Sequence, residues 1–379
     1  MTKNLKIKIR GYDPISILLA FSLAKLNHKI YLLDFPRNDS LNTKDIAYFI
    51  NHSSRKILKE FNLWDSFKSI IYGFDSISID STNYKNMILS TDDLNAGINT
   101  FKNIGWVVDH SSLIKFFFSE LSNYENISVV DSENQFKMIK NFDYEFISEE
   151  YNSIYKPQKN TRFFKRKFNY QRLCFKVLLR GAQEKRTYKL IRKDGILLAL
   201  PLSDDLYQII WTSNSLKSIK RLNISRGLLL DNLCAAFQNK IHFDQIIGQV
   251  NSYPVSYYCN SPFYTLNNHI FLNESLERFQ PFGIESLNYS FKEVFEIYKL
   301  FQSLKITNKY YLKYIKLKFY FNKFLNKSFL FFINNLIRLF FNTNLFILFN
   351  RKFYFLLFNR FLILRKLILN LIIKFFFLI

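Results

Sequence analysis

Apolar and polar positions between the N-terminus and Asp34 predict a strand, a helix and a second strand. Residues 6–9 alternate between polar and apolar side chains, which is the period of a strand. Residues 15–25 are apolar with small residues at helical spacing, and residues 29–34 form a second apolar run that ends in Asp34. The turn Gly11-Tyr12-Asp13-Pro14 joins the first strand to the helix. With an acid 23 positions after its first glycine, this is the plan of a dinucleotide-binding βαβ unit.

The remaining pattern predicts a block of antiparallel strands and then helices. We expect a helix over Asp45–Phe61 and a basic linker over Lys156–Lys167. Further helices are expected at 111–121 and 228–237, and strands at 67–89, 105–110, 127–130, 142–147, 172–179, 187–191, 196–200, 207–212, 248–258 and 269–272. The order of these elements predicts a mixed α/β protein with two interleaved units.

Composition excludes a disordered chain and gives no sign of a metal site. The chain has 379 residues, of which 49% are hydrophobic and 18% aromatic, enough for a large buried core. Cys174, Cys234 and Cys259 are far apart, and the five histidines are equally scattered. Because neither set has metal-ligand spacing, we expect no metal, and an odd cysteine count is typical of the reducing cytoplasm.

The positive charge is concentrated toward the C-terminus. The net charge is +23, and residues 301–379 contain 14 Lys and Arg but no Asp or Glu. Basic surfaces bind nucleic acid or anionic membranes, and no nucleic-acid motif is present, so nucleic acid is not expected. The apolar runs of this tail are too short to span a membrane. They predict either amphipathic helices on a membrane surface or a helical cap on the core.

Three segments follow one another along the chain, residues 6–34, 143–153 and 271–294, and each carries part of a recurring pattern of glycines and acids. Taken together they resemble the class A FAD-dependent aromatic monooxygenases, and most closely the ubiquinone-biosynthesis hydroxylases of the UbiH/UbiF/VisC type. The first segment aligns with the family motif G-x-G-P-A-G and its ribose-binding acid. Gly11, Pro14 and Asp34 match this motif, whereas Asp13 and Ser16 stand where the family has glycines.

The second and third segments follow in the family's order. Residues 143–153 resemble the strand that leads into G-A-D-G-x-N-S. Residues 271–294 resemble G-D-A-A-H followed by P-x-x-G-Q-G-x-N-x-G-x-x-D. In the third segment Glu274 falls on the flavin-contacting acid, and Pro281, Gly283 and Asn288 match directly.

The resemblance implies a definite architecture. It is an FAD-binding Rossmann-like domain of the para-hydroxybenzoate-hydroxylase type, interleaved with an antiparallel-sheet substrate domain and followed by C-terminal helices. The expected FAD-binding domain comprises residues 1–66, 95–160 and 265–300. The substrate domain comprises 67–94 and 161–264, and the basic tail comprises 301–379.

The resemblance also implies which residues form the site. It assigns FAD binding to Gly11, Asp13, Pro14, Ser16, Asp34, Glu274, Pro281, Gly283 and Asn288. It places the substrate ring near Leu200, Pro201 and Trp211. No catalytic side chain is expected, because the flavin carries the chemistry and the protein supplies position and exclusion of water.

The implied function is hydroxylation of an aromatic ring in a polyprenylated quinone precursor, with O2 and a reduced nicotinamide or another electron donor. The implied partners are the hydrophobic phenol or quinone precursor, other quinone-biosynthesis proteins and the inner face of the membrane. Asp13-Pro14 is also typical of a helix cap that takes the N–H groups a phosphate needs. An alternative is therefore a non-catalytic descendant that acts as a membrane-surface scaffold. A third hypothesis keeps the fold with another substrate, such as a carotenoid or a halogenation target, although no halogenase-like W-x-W-x-I-P motif is present.

Overall fold

The computed structural model describes most of the chain up to residue 303. The described residues are 4–11, 13–33, 45–81, 84–95, 101–148, 162–179, 185–192, 195–238, 241–261, 269–272, 277–279, 286–303, 361 and 365–366.

The strands and helices of the described residues alternate along the chain. The strands are β1 Lys6–Arg10, β2 Lys29–Leu33, β3 Ala47–Ile50, β4 Ile71–Phe74, β5 Ser76–Ser81, β6 Tyr84–Ser90, β7 Gly105–Asp109, β8 Ile127–Val130, β9 Tyr144–Ile147, β10 Arg162–Leu178, β11 Arg186–Arg192, β12 Gly195–Pro201, β13 Leu206–Asn214, β14 Gln245–Ser261, β15 His269–Phe271 and β16 Glu277–Phe279. The helices are α1 Pro14–Ala24, α2 His52–Glu60, α3 Trp64–Phe67, α4 Thr91–Asn95, α5 His110–Leu121, α6 Glu133–Met138, α7 Ser215–Leu222, α8 Arg226–Ala236 and α9 Ser286–Gln302.

A parallel sheet with the strand order β15-β9-β1-β2-β8 carries the N-terminal unit. Every residue of α1 is buried, because this helix lies against the sheet and is covered by α5 and α9. The three helices meet through aromatic rings: Phe21 of α1 contacts Phe117 of α5, which contacts Phe291 of α9. The small residues of α1 let these layers approach closely. Because β1 and β2 pair in parallel and α1 connects them, the βαβ unit predicted from the sequence is confirmed.

The second large element is an eight-stranded sheet with the order β16-β14-β10-β13-β12-β11-β5-β6. It takes β5 and β6 from the first quarter of the chain and its other strands from residue 162 onward. Strands β8 and β9, which lie between those segments in sequence, belong to the parallel sheet. The two units are therefore interleaved, and the predicted mixed α/β fold is confirmed. The exact domain boundaries stay a prediction.

A small antiparallel sheet, β3-β7-β4, lies against one face of the eight-stranded sheet. Phe49 of β3 and Val107 of β7 pack with Leu198, Leu200 and Ile210 of the large sheet in one apolar cluster. We call this side of the large sheet the inner face. The opposite side, the outer face, is covered by α8, whose Leu229 and Leu233 join a separate cluster.

Two predictions from the sequence were wrong in this region. Asp45–Phe61 is not one helix, because Ala47–Ile50 pairs with β7 as a strand and Asn51 then caps α2 by accepting the N–H of Ser54. The basic stretch is not a linker from Arg162 onward, because that part of the chain pairs with β14 as the first half of β10. Helix α7 was not predicted. Among the described residues, no helix combines the length and the apolar character needed to span a membrane.

Candidate functional site

Gly11 stands at the turn between β1 and α1, where no other residue fits. Its φ of +139° is strained for any residue with a side chain. A Cβ built at this position lies 1.8 Å from Ser148 Oγ and 2.7 Å from Ser16 Oγ. The glycine therefore lets the turn pass close to the end of β9, which is where the predicted dinucleotide would approach the backbone.

Asp13 is the N-cap of α1 and takes the donors of its first turn. Its Oδ1 accepts the N–H groups of Ile15 and Ser16 at 3.0 and 2.9 Å. The hydroxyl of Ser16 donates to Asp13 Oδ2 at 3.2 Å, and the N–H of Ile17 donates to the Asp13 carbonyl. Pro14 has no N–H to offer.

This arrangement decides how well the helix end fits a phosphate. A helix N-terminus binds phosphate through free N–H groups and the positive end of its dipole. Here the first-turn N–H groups are bonded and a carboxylate occupies the position. In this state the N-terminus of α1 does not fit a pyrophosphate, and a dinucleotide would have to displace the Asp13 side chain.

Ser148 offers a polar group on the other side of the same turn. It directly follows β9, and its backbone N–H donates to the carbonyl of Arg10 at 2.8 Å. Its hydroxyl is buried and has no hydrogen-bond partner. A buried hydroxyl without a partner beside Gly11 is a group that a ligand in this turn can satisfy. The resemblance assigned no role to Ser148, although the residue lies within its second segment.

Charged side chains are buried on the face of the parallel sheet opposite α1. Arg10 forms ion pairs with Glu145 and, at 2.8 Å, with Glu133. The ammonium of Lys8 lies 4.3 Å from the ring centroid of Phe136 on α6. Burial lowers the pKa of Lys8, and the Glu145 charge partly offsets this. The alternating pattern of β1 gave no sign of this network, because its acids and its cover come from far along the chain.

Asn288 was predicted to contact the flavin, and its side chain makes three hydrogen bonds within the protein. Its Nδ2 donates to the Phe49 carbonyl at 2.6 Å. Its Oδ1 accepts the N–H of Asn51 at 3.1 Å and the hydroxyl of Ser54 at 2.7 Å. Asn288 thus joins the start of α9 to the junction of β3 and α2. The predicted site residues Asp34, Glu274, Pro281 and Gly283 lie outside the described residues.

The structure does not bring the predicted substrate residues together. Leu200 is buried on the inner face of the large sheet. Trp211 is buried on the outer face, where the guanidinium of Arg221 lies 3.9 Å from its ring centroid. Pro201 pairs with Tyr207 at the end of β12. Because successive residues of a strand point to opposite faces, no molecule on one face can contact both Leu200 and Trp211, and both side chains are buried in the core.

A cluster of polar side chains borders the apolar inner face. Lys176 of β10 lies 2.9 Å from Asp109 and 3.7 Å from Asp45, and Asn251 donates to Asp45 at 3.2 Å. Burial raises the pKa of Asp109, but bonds from Ser111 and Lys176 outweigh it and hold the pKa below its ordinary value. Lys176 therefore joins the large sheet to the β3 and β7 side through two charged contacts.

Cys174 lies on the inner face but is not a nucleophile. It is fully buried, and burial raises the pKa of its thiol to about 12. A thiol at this pKa is protonated at neutral pH and unreactive. Among the described residues, no group of His, Cys, Asp and Glu has the arrangement of a metal site. The chemistry available on the inner face is therefore that of an apolar surface with a polar border.

Comparison with known proteins gives matches of structure only. No family model and no curated protein match the chain. The p-nitrophenol 4-monooxygenase of Pseudomonas putida DLL-E4 superimposes with a TM-score of 0.71 at 12% identity, covering 98% of each chain. A flavin-dependent brominase gives 0.69 at 12% identity, covering 99% of this chain and 94% of its own. A probable FAD-dependent monooxygenase from Pseudomonas aeruginosa gives 0.61 at 9% identity, covering 79% and 86%. The chain therefore has the fold shared by FAD-dependent monooxygenases and flavin-dependent halogenases.

Proposed function

We propose that this chain is an FAD-dependent monooxygenase that hydroxylates the aromatic ring of a polyprenylated quinone precursor. The observation that supports this most is the match to a p-nitrophenol 4-monooxygenase over 98% of both chains. That overlap includes the parallel sheet and the large sheet, which are the two parts that a monooxygenase of this fold needs. The phenolic substrate of that protein, as its name gives it, has the chemistry of the ring proposed here.

FAD would supply the activation of O2, and the chain would bind the cofactor and exclude water. Gly11 lets the backbone approach a pyrophosphate, and the Ser148 hydroxyl is available beside it. The N–H groups of Ile15 and Ser16 become available when the Asp13 carboxylate turns away. Because the cofactor must displace this cap, we expect FAD to bind more weakly than it would with glycine at position 13.

The inner face of the large sheet is the proposed place for the aromatic ring. Its Leu198, Leu200 and Ile210 are already buried against Phe49 and Val107, so the ring would bind at the border of this apolar cluster, near Lys176. An apolar surface of this kind holds a ring by burial and keeps water from the reaction. Trp211, on the outer face, takes no part in this proposal.

The polyprenyl chain of the proposed substrate is dissolved in a membrane, so the protein must work at its surface. We propose that the tail, residues 301–379, with 14 basic residues and no acidic ones, holds the chain on the inner, cytoplasmic face of the membrane. Other quinone-biosynthesis proteins acting on the same membrane-dissolved compounds are the proposed partners.

The test begins with the purified full chain. FAD is titrated and binding is followed by quenching of flavin fluorescence. Product is then sought with a short-chain polyprenyl phenol and NADH or NADPH under ¹⁸O2. Saturable FAD binding and one labelled oxygen in the product are expected. Turnover without label, or no product from an FAD-loaded protein with either donor and a panel of phenols, would contradict the proposal.

A second candidate function is a cofactor-free scaffold for quinone biosynthesis at the membrane surface. It is favoured by the Asp13 cap and by the three hydrogen bonds of the Asn288 side chain, because both occupy polar groups that a flavin would otherwise contact. This candidate predicts a cooperatively folded protein that binds no FAD at millimolar concentration. It also predicts that cells with Asp13→Gly make as much quinone as the wild type.

A further inference from the structure

Helix α7 exposes part of its apolar side. Leu216 and Ile219 are 69% and 44% exposed, whereas Ser218 is buried and Leu222 is half-buried against the outer-face cluster. The hydroxyl of Ser218 bonds to that of Ser213 at 2.7 Å. A surface helix normally buries its apolar stripe and exposes its polar side. An exposed apolar side over a small polar contact is typical of a surface that meets a partner.

The same corner of the molecule is strongly basic. Lys217 and Lys220 are exposed beside Leu216 and Ile219 on α7. After a short connection, the first turn of α8 adds an exposed Arg226 and Leu228, the latter 56% exposed. No Asp or Glu occurs between residues 206 and 230. We call residues 215–228 the basic apolar corner.

We propose that the basic apolar corner docks on an anionic lipid surface. Lysine and arginine heads pair with anionic headgroups, while leucine and isoleucine side chains enter the acyl boundary beside them. This pairing needs an occupant that is both negatively charged and apolar beneath its charge, which an anionic bilayer is. The proposal stands on described residues and does not depend on FAD binding.

Charge excludes the two occupants closest at hand. A second copy of the corner would place several cations against the same number of cations, which costs free energy without compensating acids. The basic tail of this chain, residues 301–379, also contains no acidic residue, so its charge is equally unsuitable. An anionic lipid surface has the opposite sign to both.

Helix α7 of the corner is bonded to the large sheet, so docking through the corner would set the orientation of that sheet on the membrane. Arg221 of α7 stacks over Trp211 at 3.9 Å and donates to Ser213 at 2.8 Å. These contacts hold the sheet-facing side of α7 against β13. Docking through the corner would therefore set the outer face of the large sheet toward the membrane.

Hydrogen exchange on the full-length protein tests this directly, because it separates the corner from the basic tail. Exchange is measured for the protein alone, with neutral phosphatidylcholine vesicles, and with vesicles of phosphatidylcholine mixed with anionic phosphatidylglycerol. We expect slower exchange in peptides covering 215–228 only with the anionic vesicles. Protein that sediments with those vesicles while these peptides exchange as before would overturn the proposal.

Variants of the corner test how much its charged and apolar residues each contribute to membrane partitioning. Each basic residue near an anionic surface contributes about fivefold in partitioning, so Lys217→Glu with Lys220→Glu should reduce the corner's contribution about 30-fold or more. Leu216→Ser with Ile219→Ser should lower it about tenfold through lost apolar burial. The matched control is Lys115→Glu with Met138→Ser, two exposed positions on α5 and α6.

The loss of protection at 215–228 in both corner variants, and not in the control, is the expected result. Equal protection in all three variants would overturn it. So would a concentration-dependent dimer in sedimentation that the Leu216→Ser, Ile219→Ser variant abolishes, because the occupant would then be a second copy.

Discussion

The carboxylate of Asp13 accepts the backbone N–H of Ser16 at 2.9 Å and so fills the anion site at the start of α1 with a group of the chain itself. A cap of this kind stabilises the free protein and competes with any phosphate for the same donors. One side chain therefore sets both the stability of the cofactor-free state and the affinity for a dinucleotide.

Asp13→Gly is expected to raise the affinity for FAD about fivefold or more. The change frees the donors of the first turn and removes a like charge, and an anion at a helix N-terminus gains about 1 kcal/mol from the dipole. Fluorescence titration of the purified variant measures the dissociation constant. An affinity equal to that of the wild type would contradict the competition.

Asp13→Asn is the matched control for charge. Asparagine caps a helix about as well as aspartate does but carries no charge. Its affinity for FAD should fall between those of wild type and Asp13→Gly. Asp13→Ala, which loses the cap, should lower the free energy of unfolding of the cofactor-free protein by about 1 kcal/mol.

Gly11→Ala is expected to destabilise the protein by about 1–3 kcal/mol, because the added methyl group would meet Ser148 Oγ at 1.8 Å and the φ of +139° is strained for alanine. Urea unfolding measures the loss. Gly227→Ala is the control, because nothing lies within 4 Å of a Cβ there and the position is helical, so it should be neutral or stabilising. Equal losses at both positions would show that the close approach at Gly11 is unimportant.

The βαβ unit could be predicted from the sequence because its signals are local. The alternation of β1, the apolar run of α1 and the turn at Gly11 follow one another directly in the chain. The strand β3 was missed because it forms only by pairing with β7, which comes after α2, α3 and three further strands. Composition alone favoured a helix through Asp45–Phe61, and tertiary pairing overrode it.

The candidate site was harder to predict, because it depends on which face each side chain takes. The resemblance placed Leu200 and Trp211 beside the same ring, but they lie on opposite faces. Trp211 pairs with Leu197 and shares its face, and Leu200, three residues further along β12, points to the other face. Nor did the alternation of β1 indicate that Glu133 and Glu145, from far along the chain, pair with the buried guanidinium of Arg10. Sequence spacing indicated which residue types are present, and the register decided what they contact.

Asn288→Ala is expected to lower the free energy of unfolding by about 2–4 kcal/mol, because it removes three buried hydrogen bonds and each contributes about 1 kcal/mol. Urea unfolding of the cofactor-free protein measures this. If Asn288 instead acts mainly on the flavin, the variant would keep its stability and lose FAD affinity. Ser303→Ala, which removes one hydroxyl at an exposed position just after α9, is the control and should change stability little.

Two buried histidines predict that stability falls in mild acid. Neither ring nitrogen of His28 has a hydrogen-bond partner, and burial lowers its pKa, partly offset by the Asp143 charge. Burial likewise lowers the pKa of His52, which bonds through Nε2 to the Asn103 carbonyl. In each case the unfolded chain takes up a proton at a higher pH than the folded one.

The sign of the effect follows from that order of protonation. The free energy of unfolding should be independent of these histidines above about pH 6.5, the ordinary pKa, and should fall as the pH drops toward the lowered folded-state pKa. Urea unfolding at a series of pH values between 5 and 8 measures the slope. His28→Phe, which keeps an aromatic ring beside Phe301 but cannot bind a proton, should reduce the slope below about pH 6.5. His242→Phe, at an exposed position, is the control, and a slope unchanged in His28→Phe would mean that the acid sensitivity comes from other groups.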